Sequence, residues 1–261
     1  MSGTILNMVA ILAGSLIGIL IGNRLSQKMQ ESVMTGLGLV TLVIGAQSAM
    51  QTANIILPLL SLVIGVIIGE LADVDQALKR FGGWLQARVA GMSRTVDHTG
   101  SMTDSQMTAR IRFIQGFVTA SLLFCIGPLA ILGSIRNGID AADVQLLAVK
   151  STLDFFAATA FAASLGIGVA FSVLPVFAIQ GSFVLVGVGL AGAAAAGGAL
   201  TGLGPDNAYI REFSATGGLI LMGLALGLLD IKHPRVANFL PALLIAPLLV
   251  LLASLLGIYQ L

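Results

Sequence analysis

Apolar residues run along this chain in long continuous stretches, and the charged residues are gathered between them. Several stretches reach the roughly 20 residues that an α-helix needs to cross a hydrocarbon core about 30 Å thick. Lipid offers no hydrogen bonds, so spanning backbone must satisfy itself as helices or as a closed barrel, and unbroken rather than alternating apolarity selects helices. The pattern places spans at about 4–22, 33–50, 54–70, 113–135, 150–172, 175–199, 213–229 and 238–258, eight in all. The fifth and sixth meet at SVLP, residues 172–175, where Pro175 ends one helix and opens the next without a charged loop. Whether 113–135 or 175–199 is re-entrant stays open.

Composition strengthens that reading. Charged residues are only 10% of the 261, and mean hydropathy is +1.00, against roughly 25% charged in a soluble domain. The expectation is an all-α polytopic transmembrane bundle forming one membrane domain over 1–261. Residues 1–70 hold the first three spans, 71–112 a soluble insertion, and 113–261 the remaining spans. Within the insertion, Val74, Leu78, Phe81, Leu85, Val89 and Met92 recur near helical spacing, with Lys79, Arg80, Arg88 and the lone Trp84 among them. That fits an interfacial helix lying on one leaflet, which Gly82 and Gly83 can break. Residues 93–109 read as a polar loop. The N-terminus lacks a basic leader and reads as a permanent span.

Charge placement predicts orientation, since Lys and Arg near span ends are retained in the cytoplasm. Arg24, Lys28, Lys79, Arg80, Arg88, Arg94, Arg110, Arg112, Lys232 and Arg235 fall on one side of an eight-span layout, and Arg136, Lys150 and Arg211 on the other. Both termini are therefore expected outside the cytoplasm. A net charge of +1 without a basic and aromatic cluster gives no sign of nucleic acid. The single Cys125 excludes an intrachain disulfide framework and reads as a small hydrophobe. His98 sits in the polar loop and His233 beside Lys232, so no metal and no cofactor is expected.

Segments echo one another. ESVMTG…ANIILP at 31–58 resembles EFSATG…ANFLP at 212–241, pairing Glu31, Thr35, Gly36, Asn54 and Pro58 with Glu212, Thr216, Gly217, Asn238 and Pro241. TILNMVA at 4–10 resembles STLDFFA at 151–157, pairing Asn7 with Asp154, and IQGFV at 114–118 resembles IQGSFV at 179–184, pairing Gln115 with Gln180. In many transporters internal duplication sets substrate sites near the midplane between repeats. The second and seventh spans run in opposite directions, as an inverted repeat requires, whereas the first and fifth run in the same direction. One simple duplication does not generate both, and chance likeness among Gly-, Ala- and Leu-rich segments is the alternative.

Gly14, Gly18 and Gly22 recur every four residues, as do Ser61, Gly65 and Gly69. Such stripes let helix backbones approach closely where lipid supplies no drive for association. The GVGLAG stretch at 187–192 matches a dinucleotide fingerprint without a strand or an acidic partner, and is composition only. Gly127 and Pro128 fall mid-span, where Pro removes a backbone hydrogen bond that lipid cannot replace. A broken helix whose freed carbonyls coordinate a cation and a plain proline kink are both compatible with this. Asp154 lies about one turn inside its apolar run, four residues after Lys150. It reads either as an interfacial ion pair with Lys150 or as a cation or proton site shared with Asn7. Glu70, Glu212 and Asp230, at span ends, read as solvated anchors.

The opening GTILNMVAILAGSLIGILIG, the central GPLAILGSI, the STLDFFAATAFAASLGIG run and the closing ATGGLIL…RVANFLPALLIAPL together resemble the YqgA/YdfK family of bacterial membrane proteins, nearly end to end. The resemblance implies a bacterial inner-membrane location and leaves the activity open; a sodium channel or pump has been suggested for the family. The leading expectation is transport of a small ion or solute of open identity. Asp154, Asn7, Gln115, Gln180, Gly127, Pro128, Asn54 and Asn238 are candidates for the path, and Gly14, Gly18, Gly22, Gly65 and Gly69 for helix packing. Next comes a membrane scaffold or sensor recruiting a partner through 71–112. An enzyme ranks last, since no zinc-type His spacing or Ser–His pairing is visible. The lipid bilayer is the one partner that composition implies; self-association into a homo-oligomer stays open.

Overall fold

A computed structural model of the protein describes residues 1–22, 24–90, 104–195 and 207–256. Among them are ten α-helices and no strand: α1 (Ser2–Gly22), α2 (Gln27–Ala49), α3 (Ile56–Ala72), α4 (Val74–Ala90), α5 (Asp104–Cys125), α6 (Pro128–Ile139), α7 (Gln145–Leu165), α8 (Val173–Ala195), α9 (Ala208–Leu228) and α10 (Ala242–Leu255). Two 3₁₀ segments, Gly166–Ser172 and Val236–Phe239, lead into α8 and α10. Local chemistry sets several starts. Ser26 caps α2 by accepting from the Met29 N–H, and Asn207 caps α9 by accepting from the Tyr209 N–H.

Glycine decides which helices pair. In α1, Gly14, Gly18 and Gly22 lie against the carbonyls of Phe155, Thr159 and Ala163, so α1 and α7 run side by side in the same direction. The pair α2 and α9 runs antiparallel, with Gly45 and Gly218 backbone to backbone. Gly65 of α3 meets Ala242 at the start of α10, and Gly69 meets Asn238 in the 3₁₀ segment before it, so this pair is also antiparallel. In α6 and α8, Gly138 and Gly187 each rest on the other's helix. A Cβ at any of these positions would overlap the partner helix, which is how small residues substitute for a hydrophobic drive that lipid does not provide.

Burial runs opposite to that of a water-soluble domain. Leu16, Leu20, Phe156 and Leu244 are exposed, whereas Thr4, Asn7, Ser15, Ser61, Ser134, Ser172, Gln180, Glu212, Thr216 and Asn238 are fully enclosed. The outer face therefore suits lipid, and the polar groups are turned inward, as a helical membrane bundle requires.

Several expectations change on contact with the fold. Among the described residues four helical stretches are long and apolar enough to cross a membrane, with α7 and α8 counted together as Gln145–Gly189, or up to six if each bent pair is one span, so length and composition do not confirm the expected count of eight. The break at Gly127 and Pro128 is a broken helix rather than a gentle kink: α5 and α6 meet at 60°. Pro175 does not separate the fifth and sixth segments. The turn comes earlier, at Gly166 (φ 77°), a backbone conformation suited to glycine, and Pro175 sits in the first turn of α8, where its missing N–H is harmless. α4 runs unbroken through Gly82 and Gly83 and packs them towards Phe117 and Arg110 of α5. Arg94, His98 and most of the polar loop lie outside the described residues.

Candidate functional site

α7 begins at Gln145, five residues ahead of the expected span, and this moves Asp154 from the edge of the run to its middle. Nine residues separate it from the helix start, about 13 Å at 1.5 Å per residue. The hydroxyls near it on α7 are spent on the helix itself: Ser151 donates to the Leu147 carbonyl, Thr152 to Ala148 and Thr159 to Phe155. Lys150 and Asp154 remain as the groups that need partners elsewhere. They find each other one turn apart, the Lys150 ammonium donating to Asp154 Oδ2, and Asn7 Nδ2 of α1 donates to that same oxygen at 3.0 Å. Exposure is 6% for Lys150, 7% for Asp154 and zero for Asn7. The two readings of Asp154 thus merge into one buried triad, with Lys150 a member that sequence reasoning had assigned to the membrane surface.

The helix break stands beside this triad. Pro128 has no N–H to offer the Phe124 carbonyl four residues back, and the last ladder bond of α5 runs from Ile126 N–H to Leu122. The Lys150 ammonium lies 6.0 Å from the Phe124 ring centroid. On the far side, Gly217 of α9 lets Ile126 approach, since a Cβ there would stand 2.8 Å from it. Gly127 itself has φ 155° and ψ 152°, a region open essentially to glycine.

Further polar groups are enclosed along α1, α6 and α8. Thr4 Oγ1, Asn7 Oδ1 and Ser15 Oγ of α1, Ser134 Oγ of α6 and both amide atoms of Gln180 on α8 are buried without a hydrogen-bond partner. Val176, Gln180 and Val184 form the enclosed face of α8, and the Val184 carbonyl packs on Gly138. Because α6 and α8 run in the same direction, Gln180 falls one to two turns nearer the break than Gly138 does. Enclosed polar atoms of this kind are uncommon in native interiors, where nearly all find partners.

Other candidates lie elsewhere. Asn54 is half-buried in the α2–α3 connection, where its side-chain oxygen accepts from the Ile56 N–H. Asn238 is at the opposite end of the bundle, accepting from the Asp75 N–H at 2.7 Å. Gln115 is exposed and lines a separate cavity of about 570 Å³ together with Asp75, Thr119 and His233. The sequence echoes that paired these residues with deeper ones therefore do not gather them at one site. Glu212 is not a solvated anchor: it is fully enclosed, accepting from Thr52 Oγ1 at 2.5 Å and from the Ala53 N–H at 3.1 Å, and so ties the α2–α3 connection to α9. Asp75, 7% exposed and paired with Lys79, was likewise missed, because a carboxylate four residues before a lysine reads as a surface pair. Among the described residues no group of three His, Cys, Asp or Glu side chains could hold a metal ion.

Comparison with known proteins adds a family and no activity. The chain is similar to the protein YqgA of Escherichia coli (strain K12), described as uncharacterized, with 33% identity over 244 residues and 94% of each chain covered. It is also similar to YdfK of Bacillus subtilis (strain 168), named an uncharacterized membrane protein, at 26% identity over 262 residues and 99% of each chain. No solved structure matches. Residues 2–251, which include the α1–α7 seam, the α5–α6 break and the start of α10, match a family described as proteins of unknown function, and the chain belongs to that family, DUF554.

Proposed function

We propose that this membrane protein carries a small cation or a proton across the bilayer along the α1–α7 seam, with Asp154 taking it up. One observation carries the reading: a carboxylate halfway along an apolar helix, enclosed with Lys150 and Asn7 beside a helix break that frees the Phe124 carbonyl. An acid at the centre of a membrane helix costs roughly 2.5–3.5 kcal/mol on insertion scales, so such residues mark ion or proton paths far more often than packing. The unpartnered oxygens of Thr4, Asn7, Ser15, Ser134 and Gln180 extend the polar environment along the interior, and a broken helix with bared carbonyls is a recurrent way of holding a cation in transporters.

In the same reading all eight apolar segments cross, α5 and α6 together forming one of them. The basic end faces the cytoplasm, and the membrane is a bacterial inner membrane. The echoing segments support an internal duplication, because α1 packs on α7, α2 on α9 and α3 on the start of α10. Flux in proteoliposomes under sodium, potassium and proton gradients tests the proposal. Lys150→Met alone and the pair Lys150→Met with Asp154→Asn are compared with wild type, since the pair leaves no unmatched charge. Flux in the single variant and none in the pair is expected. Wild-type flux in the pair would remove Asp154 from the path.

A second reading, recruitment of a partner through 71–112, draws on the exposed Phe81–Trp84 stack of α4, with Arg88 5.3 Å from the Trp84 ring. Absence of flux in wild type under every gradient would favour it.

A further inference from the structure

At the end of the bundle that holds the α3–α4 corner, Arg112 of α5 borders a cavity of about 560 Å³ between α1, α5 and the turn from α7 into α8. Its guanidinium is held at two points, and both acceptors are neutral: Nε donates to the Ser164 carbonyl at 2.9 Å and Nη2 to Gln30 Oε1 at 3.0 Å. Gln30 is itself fixed, donating to the carbonyls of Gly22 and Leu25, and Ser164 Oγ donates to the Gln30 carbonyl. The ends of α1, α2 and α7 thereby orient one side of the fork. No carboxylate among the described residues pairs with it.

The walls are of another kind. Ile19, Phe113, Leu165 and Ile167 line the cavity, and Ile167 is 49% exposed, so the crevice opens outward along an apolar side chain. Gly166 forms the floor beside the guanidinium; a Cβ there would lie 4.0 Å from Nε. The volume falls within the range of about 300–1,000 Å³ usual for ligand sites.

We propose that this crevice is a binding site for an anionic phospholipid, the phosphate on Arg112 and the first part of an acyl chain along Ile19 and Ile167. A planar guanidinium with free N–H groups matches phosphate oxygens in pairs. The apolar walls reward a chain and give a free, hydrated phosphate nothing. Arg24, just beyond the end of α1, adds positive potential at the same end, where leaflet lipids present their head groups. The site is separate from the Asp154 triad and stands or falls without it.

The test uses the full chain in detergent, with thermal unfolding followed against added phosphatidylglycerol, phosphatidylcholine or inorganic phosphate, and retained lipid counted by native mass spectrometry. Phosphatidylglycerol is expected to raise the wild-type midpoint by a few degrees, while phosphatidylcholine and phosphate leave it unchanged. Arg112→Gln should lose the shift and the retained lipid, and Arg112→Lys should keep a reduced shift. Ala109→Trp, which fills the crevice from an exposed position on α5 and leaves the guanidinium's own bonds alone, should also lose the shift. Equal shifts with the two lipids, a shift with phosphate alone, or a full shift in Ala109→Trp would each overturn the proposal.

Discussion

Two donors share one oxygen at Asp154, and one of them is a lysine with nowhere else to place its charge. Removing one partner of a buried ion pair strands the other and costs on the order of 3–5 kcal/mol, whereas replacing both is often close to neutral. Lys150→Met and Asp154→Asn should therefore each lower the unfolding midpoint, the lysine change more, because Asn still accepts a hydrogen bond. The double variant should recover most of the loss. Thermal unfolding of the four proteins as a double-mutant cycle checks this, and simply additive losses would mean that the side chains do not meet. Gly127 makes a second prediction from backbone alone. Nothing lies within 4 Å of a Cβ built there, yet its φ and ψ are suited only to glycine, so Gly127→Ala should cost about 1–3 kcal/mol. Gly181→Ala, in ordinary helix with equal space, should be neutral or slightly stabilising in the same assay. From the sequence the hydrogen bond lost at Pro128 was legible, because a missing N–H is a property of the residue, whereas the 60° break it produces was not. The burial of Lys150 was not, because it depends on α1 and α5 closing over it.

Among the elements, the seam between α1 and α7 depends most on small residues. Replacing Gly18 with Leu would drive a side chain into the Thr159 carbonyl and the Ala162 methyl. A loss of about 1–3 kcal/mol, or more, is expected from such overpacking, read as lower yield and thermal stability. Gly36→Leu, on α2 with open space around it, should behave like wild type. Equal behaviour of the two variants would mean that α1 does not pack through its glycines. The four-residue glycine spacing is written in the sequence, so the packing face of α1 could be read there. Its partner could not, because a glycine stripe fits any smooth helix and only the assembled bundle selects α7. Glu212 teaches the reverse. Its place near a span end suggested water, but the Thr52 hydroxyl and the Ala53 N–H needed an acceptor, and the α2–α3 connection folded onto it.

For the molecule as a whole, charge asymmetry is the testable property. The Glu70–Arg235 pair at 2.9 Å and the position of Arg80 at the α3–α4 corner set one end. Arg136, paired with Asp143, and Arg211, beside Glu212, lie at the other. Cysteines at 80 and 235 should label from the cytoplasmic side, and cysteines at 136 and 211 from the opposite side. Labelling of 235 and 136 from one side would show that the chain between them crosses an even number of times, so that α7, α8 and α9 do not all span.

Sequence alone determined that this chain is helical and lives in lipid, since those conclusions follow from how many charges the chain has and how long its apolar runs are. It also located the backbone hydrogen bond that Pro128 removes, while the fold decided that a break and not a kink follows there, since α10 continues through its own Pro247. Tertiary structure decided which polar residues face one another. Asn7, Lys150 and Asp154 meet although Asn7 lies 147 residues from Asp154, while Asn54, Asn238 and Gln115, alike in local pattern, end up far apart. Asn7 reaches Asp154 because α1 fits along α7 through a glycine face, and backbone fit of that kind, which depends on the assembled helices, is not written in the local pattern around a polar residue.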